Sequence, residues 1–312
     1  MMVVGCGDDA NTTAQNIADP TREVPDHVLW TSYNVYHYEP GAQGKFVKII
    51  NQGQLPTSLP ALGNNPVMFV HGFGGSIASG RFASIAQNLV DNNLASSIYG
   101  FEYDSQDGIA SSGQKFTQAL TVLNPTIIPR TTWTIVGHSM GALVTRSAAQ
   151  SSVLPIALAS NRAITLGAPH YGSPVANAVQ STGDVPSRTA VITSLNQGGF
   201  TNIDGNPSRV DLSCQGLTDL RLDSPFILNL NNNIGNHPQF KYFSVAGNQR
   251  GSGLQSMNDQ LGVVTDDGFV TIQSANPLEI GALGSIVVPT EHTNLTQDAA
   301  NVFPAVRAFI QQ

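Results

Sequence analysis

From Pro66 onward the chain alternates short apolar runs with longer stretches whose apolar residues return at helical spacing. The runs are Val67–Val70, Ser97–Tyr103, Thr132–Val136, Arg162–Leu166, Phe240–Ala246 and Ser285–Val288. Between and after them lie helical stretches at Arg81–Asn92, Ser111–Leu123, Met140–Ser151, Pro174–Gln180, Pro225–Asn232 and Asn301–Gln311. Strands that are apolar along their whole length need cover on both faces, and a strand–helix alternation supplies it. The expected class is therefore α/β, a mostly parallel central sheet with helices on both faces. Upstream, Trp30–Tyr38 and Lys45–Ile50 are aromatic and β-branched, which predicts strands at a sheet edge.

Two intervals break the alternation. Residues 7–26 are polar, carry Pro20 and Pro25 and have no period, so 1–26 reads as a flexible tail ahead of one domain at 27–312. More than seventy residues separate Leu166 from Phe240, where ordinary connections run to about 2–6. An insertion is expected there, over about 184–234. Its Asp184–Gly216 portion is rich in Gly, Asn, Ser and Pro, with Val185, Ile192, Leu195, Phe200 and Ile203 scattered through it. That composition suits a cap or lid over a site, the alternative being a surface excursion with no part in access.

Composition narrows the partners. The 312 residues are 41% hydrophobic, enough for a sizeable core, yet only 11% are charged, about half the usual share. The net charge of −7 gives no electrostatic footprint for a phosphate backbone, so nucleic acid is excluded as a partner. Lysine is confined to positions 45, 48, 115 and 241, and neutral polar residues take its place, a bias toward secreted or cell-envelope proteins. No apolar run reaches the roughly 18 residues of a membrane-spanning helix, so no transmembrane segment is expected. The two cysteines lack zinc-site spacing and are too few for a disulfide framework. A Cys6–Cys214 bridge would close a long loop worth about 4–5 kcal/mol, but position 6 lies in the tail. The start, Met1-Met-Val-Val-Gly-Cys6-Gly, resembles the end of a bacterial lipoprotein signal, which would put a lipid anchor on Cys6. The positive n-region of such a signal is missing, so either the true start lies upstream or this is an ordinary N-terminus.

The most informative segment is Thr134-Ile-Val-Gly137-His138-Ser139-Met140-Gly141-Ala142: a β-branched strand runs into G-x-S-x-G and then into a helix-forming run. A serine on so sharp a strand-to-helix turn presents its hydroxyl outward, and the glycines let the flanking backbones pass closely. A serine hydroxyl needs a base, and the base needs an orienting carboxylate. In this context the order is serine, acid, histidine. His292, in Pro289-Thr-Glu-His292, follows the last predicted strand, whereas His237 precedes the best acid. Val263-Val-Thr-Asp266-Asp267-Gly268 offers two adjacent carboxylates, of which Asp267 is preferred over Asp266. Oxyanion donors are expected from the backbone N–H of Phe73, in the strand-end loop His71-Gly-Phe73-Gly-Gly75, and of Met140 after the nucleophile. Neither the Walker lysine nor G-x-G-x-x-G accompanies this loop, which argues against a nucleotide.

These segments, with Leu166-Gly-Ala-Pro-His170-Tyr171-Gly-Ser173 and Asp267-Gly-Phe-Val270, resemble an α/β-hydrolase of the bacterial lipase and esterase type from about Pro66 to the C-terminus. The resemblance implies a serine carboxylic-ester hydrolase working through an acyl-enzyme on small-molecule or lipidic esters, neutral ones given the low charge. An amidase, an acyltransferase or a polyester depolymerase would use the same triad, and a binding module of this fold would use none of it. His170 and Tyr171 are expected to shape their loop, and His138 to be a neighbour of the elbow. No cofactor or metal is expected; some relatives bind a structural calcium through an aspartate two residues past the histidine, where this chain has Asn294.

Overall fold

The computed structural model describes residues 21–23, 33–41, 44–123, 133–150, 162–180, 211–233, 241–250 and 266–312. Cys6, most of the 1–26 segment and residues 184–210 of the expected insertion lie outside them. Ten strands are described: β1 (Thr21–Glu23), β2 (Tyr33–Glu39), β3 (Lys45–Ile50), β4 (Ser58–Pro60), β5 (Pro66–Val70), β6 (Ser97–Tyr103), β7 (Thr134–His138), β8 (Arg162–Leu166), β9 (Lys241–Gly247) and β10 (Gly284–Val288). The helices are α1 (Ala83–Asp91), α2 (Ile109–Leu123), α3 (Met140–Gln150), α4 (Pro174–Gln180), α5 (Gln215–Asp219), α6 (Pro225–Asn232), α7 (Ile272–Ala275) and α8 (Ala299–Ile310). β1 falls within the segment read as a tail and pairs antiparallel with β4; three residues are too few to display a period-two pattern, so the sequence gives no sign of it.

Eight strands form one sheet in the order β10-β9-β8-β7-β5-β6-β2-β3. The six from β10 to β6 are parallel, while β2 runs antiparallel to both β6 and β3. Every residue of β5 and β6 is buried, and alternation divides their side chains between two cores. Met68 and Val70 join Phe116, Leu120, Leu143 and Val144 under α2 and α3. Val67 and Phe69 join Ile85, Leu89, Val302 and Phe309 under α1 and α8. The central apolar runs are continuous because these strands face a helical layer on both sides, whereas the edge strand β10 leaves Ile286 and Val287 exposed.

The described part of the insertion, α5 and α6, is fastened to this frame. Asp219 is buried, accepting the Ile109 N–H at the start of α2 through Oδ2 (2.8 Å) and Gln215 Nε2 through Oδ1 (2.7 Å). Ser224 caps α6 by accepting the Ile227 N–H (3.0 Å), with Pro225 in the first turn. Ser173 N–H donates to the Leu220 carbonyl (2.8 Å).

Candidate active site

β7 ends at the centre of the sheet, and the chain turns there into α3 through Ser139, whose φ of +52° is left-handed. A non-glycine residue held there stores strain that its surroundings must support. Gly137 and Gly141 make the turn sterically feasible. A Cβ on Gly137 would lie 2.6 Å from Ala142 Cα, and one on Gly141 would lie 2.3 Å from the His71 carbonyl oxygen. The elbow thus abuts the end of β5, and Ser139 N–H donates to the Leu166 carbonyl of β8 (2.9 Å).

The structure brings Ser139, His292 and Asp267 together. Ser139 Oγ lies 2.9 Å from His292 Nε2, and His292 Nδ1 lies 2.8 Å from Asp267 Oδ2. Since Asp267 can only accept from Nδ1–H, Nε2 is left to accept the serine proton. The His292 N–H also donates to the Asp267 carbonyl (2.9 Å), fixing the two loops to each other. Asp267 Oδ1 accepts the N–H groups of Phe269 (3.1 Å) and Val270 (2.8 Å). Asp266 faces elsewhere: its Oδ2 accepts from Arg250 Nε (2.8 Å) and its Oδ1 from the Gly268 N–H (2.7 Å).

Three further histidines are held neutral, two of them, His71 and His138, lining the cavity beside the relay. His138 Nε2–H donates to the His292 carbonyl (2.9 Å), and burial, with His292 beside it, pushes its basicity well below the ordinary range. His71 Nδ1–H donates to the Gly72 carbonyl (2.8 Å) while its Nε2 accepts the Tyr103 N–H (3.2 Å). Its ring stacks on Tyr103 at 4.4 Å, and burial lowers its pKa too. His170, fully buried, accepts from Arg146 Nη1 (2.9 Å) at Nδ1 and meets Thr165 Oγ1 (3.2 Å) at Nε2. Burial, then Arg146, pushes it well down. His170 therefore shapes its loop, while Tyr171 donates its N–H to Ser274 Oγ (3.0 Å).

Phe73 and the serine border an apolar cavity of about 1040 Å³, counting its open mouth. Val175 and Val179 of α4, Leu217 and Leu220 of the insertion, and Phe269 contribute to its apolar wall. Arg81 is the one fixed charge among the described residues that line it. Met140 opens α3, so its N–H belongs to the set that a helix leaves without an internal partner. Asn294 Nδ2 donates to Glu291 Oε1 (2.6 Å), and no group of three or more His, Cys, Asp or Glu side chains gathers to hold a metal among the described residues. Cys214, a buried free thiol, packs with Val175, Val179 and Leu217 behind that wall.

Sequence reading missed the supports of this site. Arg146 is fully buried on α3, with Nη2 on Asn231 Oδ1 (3.0 Å) and its guanidinium 5.6 Å from the Tyr242 ring centre. Ser105, just past β6, accepts the Gly74 N–H (2.9 Å), and the Tyr103 hydroxyl donates to the His71 carbonyl (2.9 Å). No local pattern links these positions to their partners. The signal that would find them is strand order, because the ends of adjacent parallel strands lie side by side.

The sheet order and the strand–elbow–helix turn define the α/β-hydrolase fold. Residues 61–188 match the family described as PGAP1-like alpha/beta domain. Among solved structures, the chain is similar to the mature lipase BlEst2 of Bacillus licheniformis, with a TM-score of 0.61 and 21% identity over 78% of this chain and 91% of that one. It also resembles the metagenomic carboxyl esterase MGS0156, with a TM-score of 0.52 and 14% identity over 82% of this chain and 78% of the other. The phospholipase PlaB of Legionella pneumophila aligns with a TM-score of 0.51 and 19% identity over 68% of this chain and 45% of its own. No curated protein sequence matches the chain.

Proposed function

We propose that the protein is a serine carboxylic-ester hydrolase that cleaves neutral, lipidic esters through an acyl-enzyme. The observation that carries this reading is the continuous relay from Ser139 Oγ through His292 to Asp267 at the wall of an apolar cavity. Ser139 attacks the ester carbonyl as His292 Nε2 takes its proton. The N–H groups of Phe73 and Met140 receive the charge that develops on the carbonyl oxygen. His292 then returns the proton to the departing alcohol, and water repeats the sequence on the acyl-enzyme. Asp267 keeps the imidazole in the tautomer that leaves Nε2 free to accept and stabilises the imidazolium.

The cavity wall argues for an acyl chain over an ionic group, since burying an unpaired charge against Phe73, Val179, Leu217 and Phe269 is costly. The lipase and the esterase among its structural neighbours support the same class. The test is hydrolysis of a p-nitrophenyl ester series from acetate to palmitate by the protein and by Ser139→Ala. The variant should lose on the order of 10⁵–10⁶ in kcat, and activity should be retained beyond about eight acyl carbons. Undiminished turnover in the variant would overturn the mechanism; collapse beyond short chains would overturn the lipidic substrate alone.

A further inference from the structure

Glu102, next to last in β6, is a carboxylate with 3% exposure, and no cationic side chain among the described residues is bonded to it. Its donors come from two sides. Oε1 accepts from Asn34 Nδ2 (3.1 Å) and the Tyr36 hydroxyl (3.0 Å) of β2. Oε2 accepts from the Ser76 hydroxyl (2.6 Å) and from the N–H groups of Ile77 (2.9 Å) and Ala78 (3.3 Å). Burial by itself would raise its pKa, but hydrogen bonds from the side chains of Ser76, Asn34 and Tyr36 hold it below the usual carboxylate range.

Burying a carboxylate costs several kcal/mol unless its lone pairs are filled, and an apolar side chain would fill the same space without that cost. What the carboxylate adds is three acceptor bonds to consecutive residues following the glycine loop. Gly72, Gly74 and Gly75 have no side chains with which to hold the loop. It closes on itself through Gly75 N–H to the Gly72 carbonyl (3.0 Å) and leans on Ser105 at Gly74. Its far end, Ser76–Ala78, is gripped by Glu102. The Phe73 N–H lies within this span, and an oxyanion donor is effective only when fixed within a few tenths of an ångström before reaction begins.

We infer that Glu102 is a positioning residue for the oxyanion hole, tying the loop that carries Phe73 to β2 through β6. The inference rests on the proposed hydrolase activity. Glu102→Gln keeps the shape but leaves one acceptor oxygen for donors on two sides, so the loop loses part of its grip. With kcat referred to sites titrated by a fluorophosphonate, Glu102→Gln should lower kcat about 10- to 100-fold with KM little changed. The inhibition constant of an alkyl boronic acid, whose tetrahedral adduct uses the same donors, should rise in proportion. Ser76→Ala, which removes one donor from the loop side, should move both quantities in the same direction by less, and it decides the matter if Glu102→Gln does not fold. Unchanged kcat per titrated site and unchanged boronate affinity in the folded variants would overturn the inference, as would a loss confined to KM. Ester hydrolysis surviving in Ser139→Ala would instead remove the activity on which it rests.

Discussion

Two adjacent aspartates lie in different surroundings: Asp267 faces His292, and Asp266 faces Arg250. Asp267→Asn would offer an amide where Nδ1–H needs an acceptor, and kcat for ester hydrolysis should fall on the order of 10⁴-fold with little change in unfolding free energy. Asp266→Asn should do the reverse, costing about 1–3 kcal/mol in urea denaturation by removing the carboxylate from a largely buried Arg250, while kcat changes far less. Equal kinetic losses in both variants would contradict this division. Sequence reading prefers Asp267 but has no physical means of separating the pair, because the cation that occupies Asp266 sits sixteen residues upstream. Ser139 and His292 are legible for the opposite reason: the elbow is a local steric motif, and the order of the triad follows from it.

Helix α3 does more than follow Ser139. One turn before its end, Arg146 reaches the end of α6 through Asn231 Oδ1 (3.0 Å) and the Leu230 carbonyl (3.5 Å), and the loop after β8 through His170. A cation at a helix C-terminus is favourable to the helix dipole, and the planar guanidinium serves several partners at once. Arg146→Lys supplies the charge without that fork, so it should cost about 1–3 kcal/mol and speed amide exchange in α6 ahead of the sheet; uniform protection would show that the latch is not local. The strands and helices of the doubly wound frame are legible because each obeys one period over its length. The insertion is legible only as an excess of chain: the contacts that fasten α5 and α6, such as Asp219 to the Ile109 N–H 110 residues away, leave no local pattern.

Among the described residues, His71, His138 and His170 each have a pKa lowered from 6.5, chiefly by desolvation. The unfolded chain binds a proton at each of these sites below about pH 6.5, where the native chain does not. Stability should therefore be fully present above that range and fall as pH drops below it, by up to about 1.4 kcal/mol per pH unit for each histidine. Glu102, with a lowered pKa, adds a further loss as pH falls through the carboxylate range. Urea midpoints at pH 7.5 and 5.5 measure the first effect; identical values would mean that these imidazoles titrate normally. None of this is legible in the count of seven histidines, because burial and hydrogen-bond partners, not residue type, decide which can accept a proton.

The order of strands also bears on biosynthesis. Ser139 is translated long before Asp267 and His292, which follow β9 and lie beyond the point where the chain must return to lengthen the sheet past β8. A ribosome-bound chain from which β9 and β10 have not emerged has the Ser139 elbow without Asp267 and His292 beside it. In the proposed hydrolase, reactivity arises only when β9 and β10 dock, so segments made well after the elbow are the ones that arm Ser139.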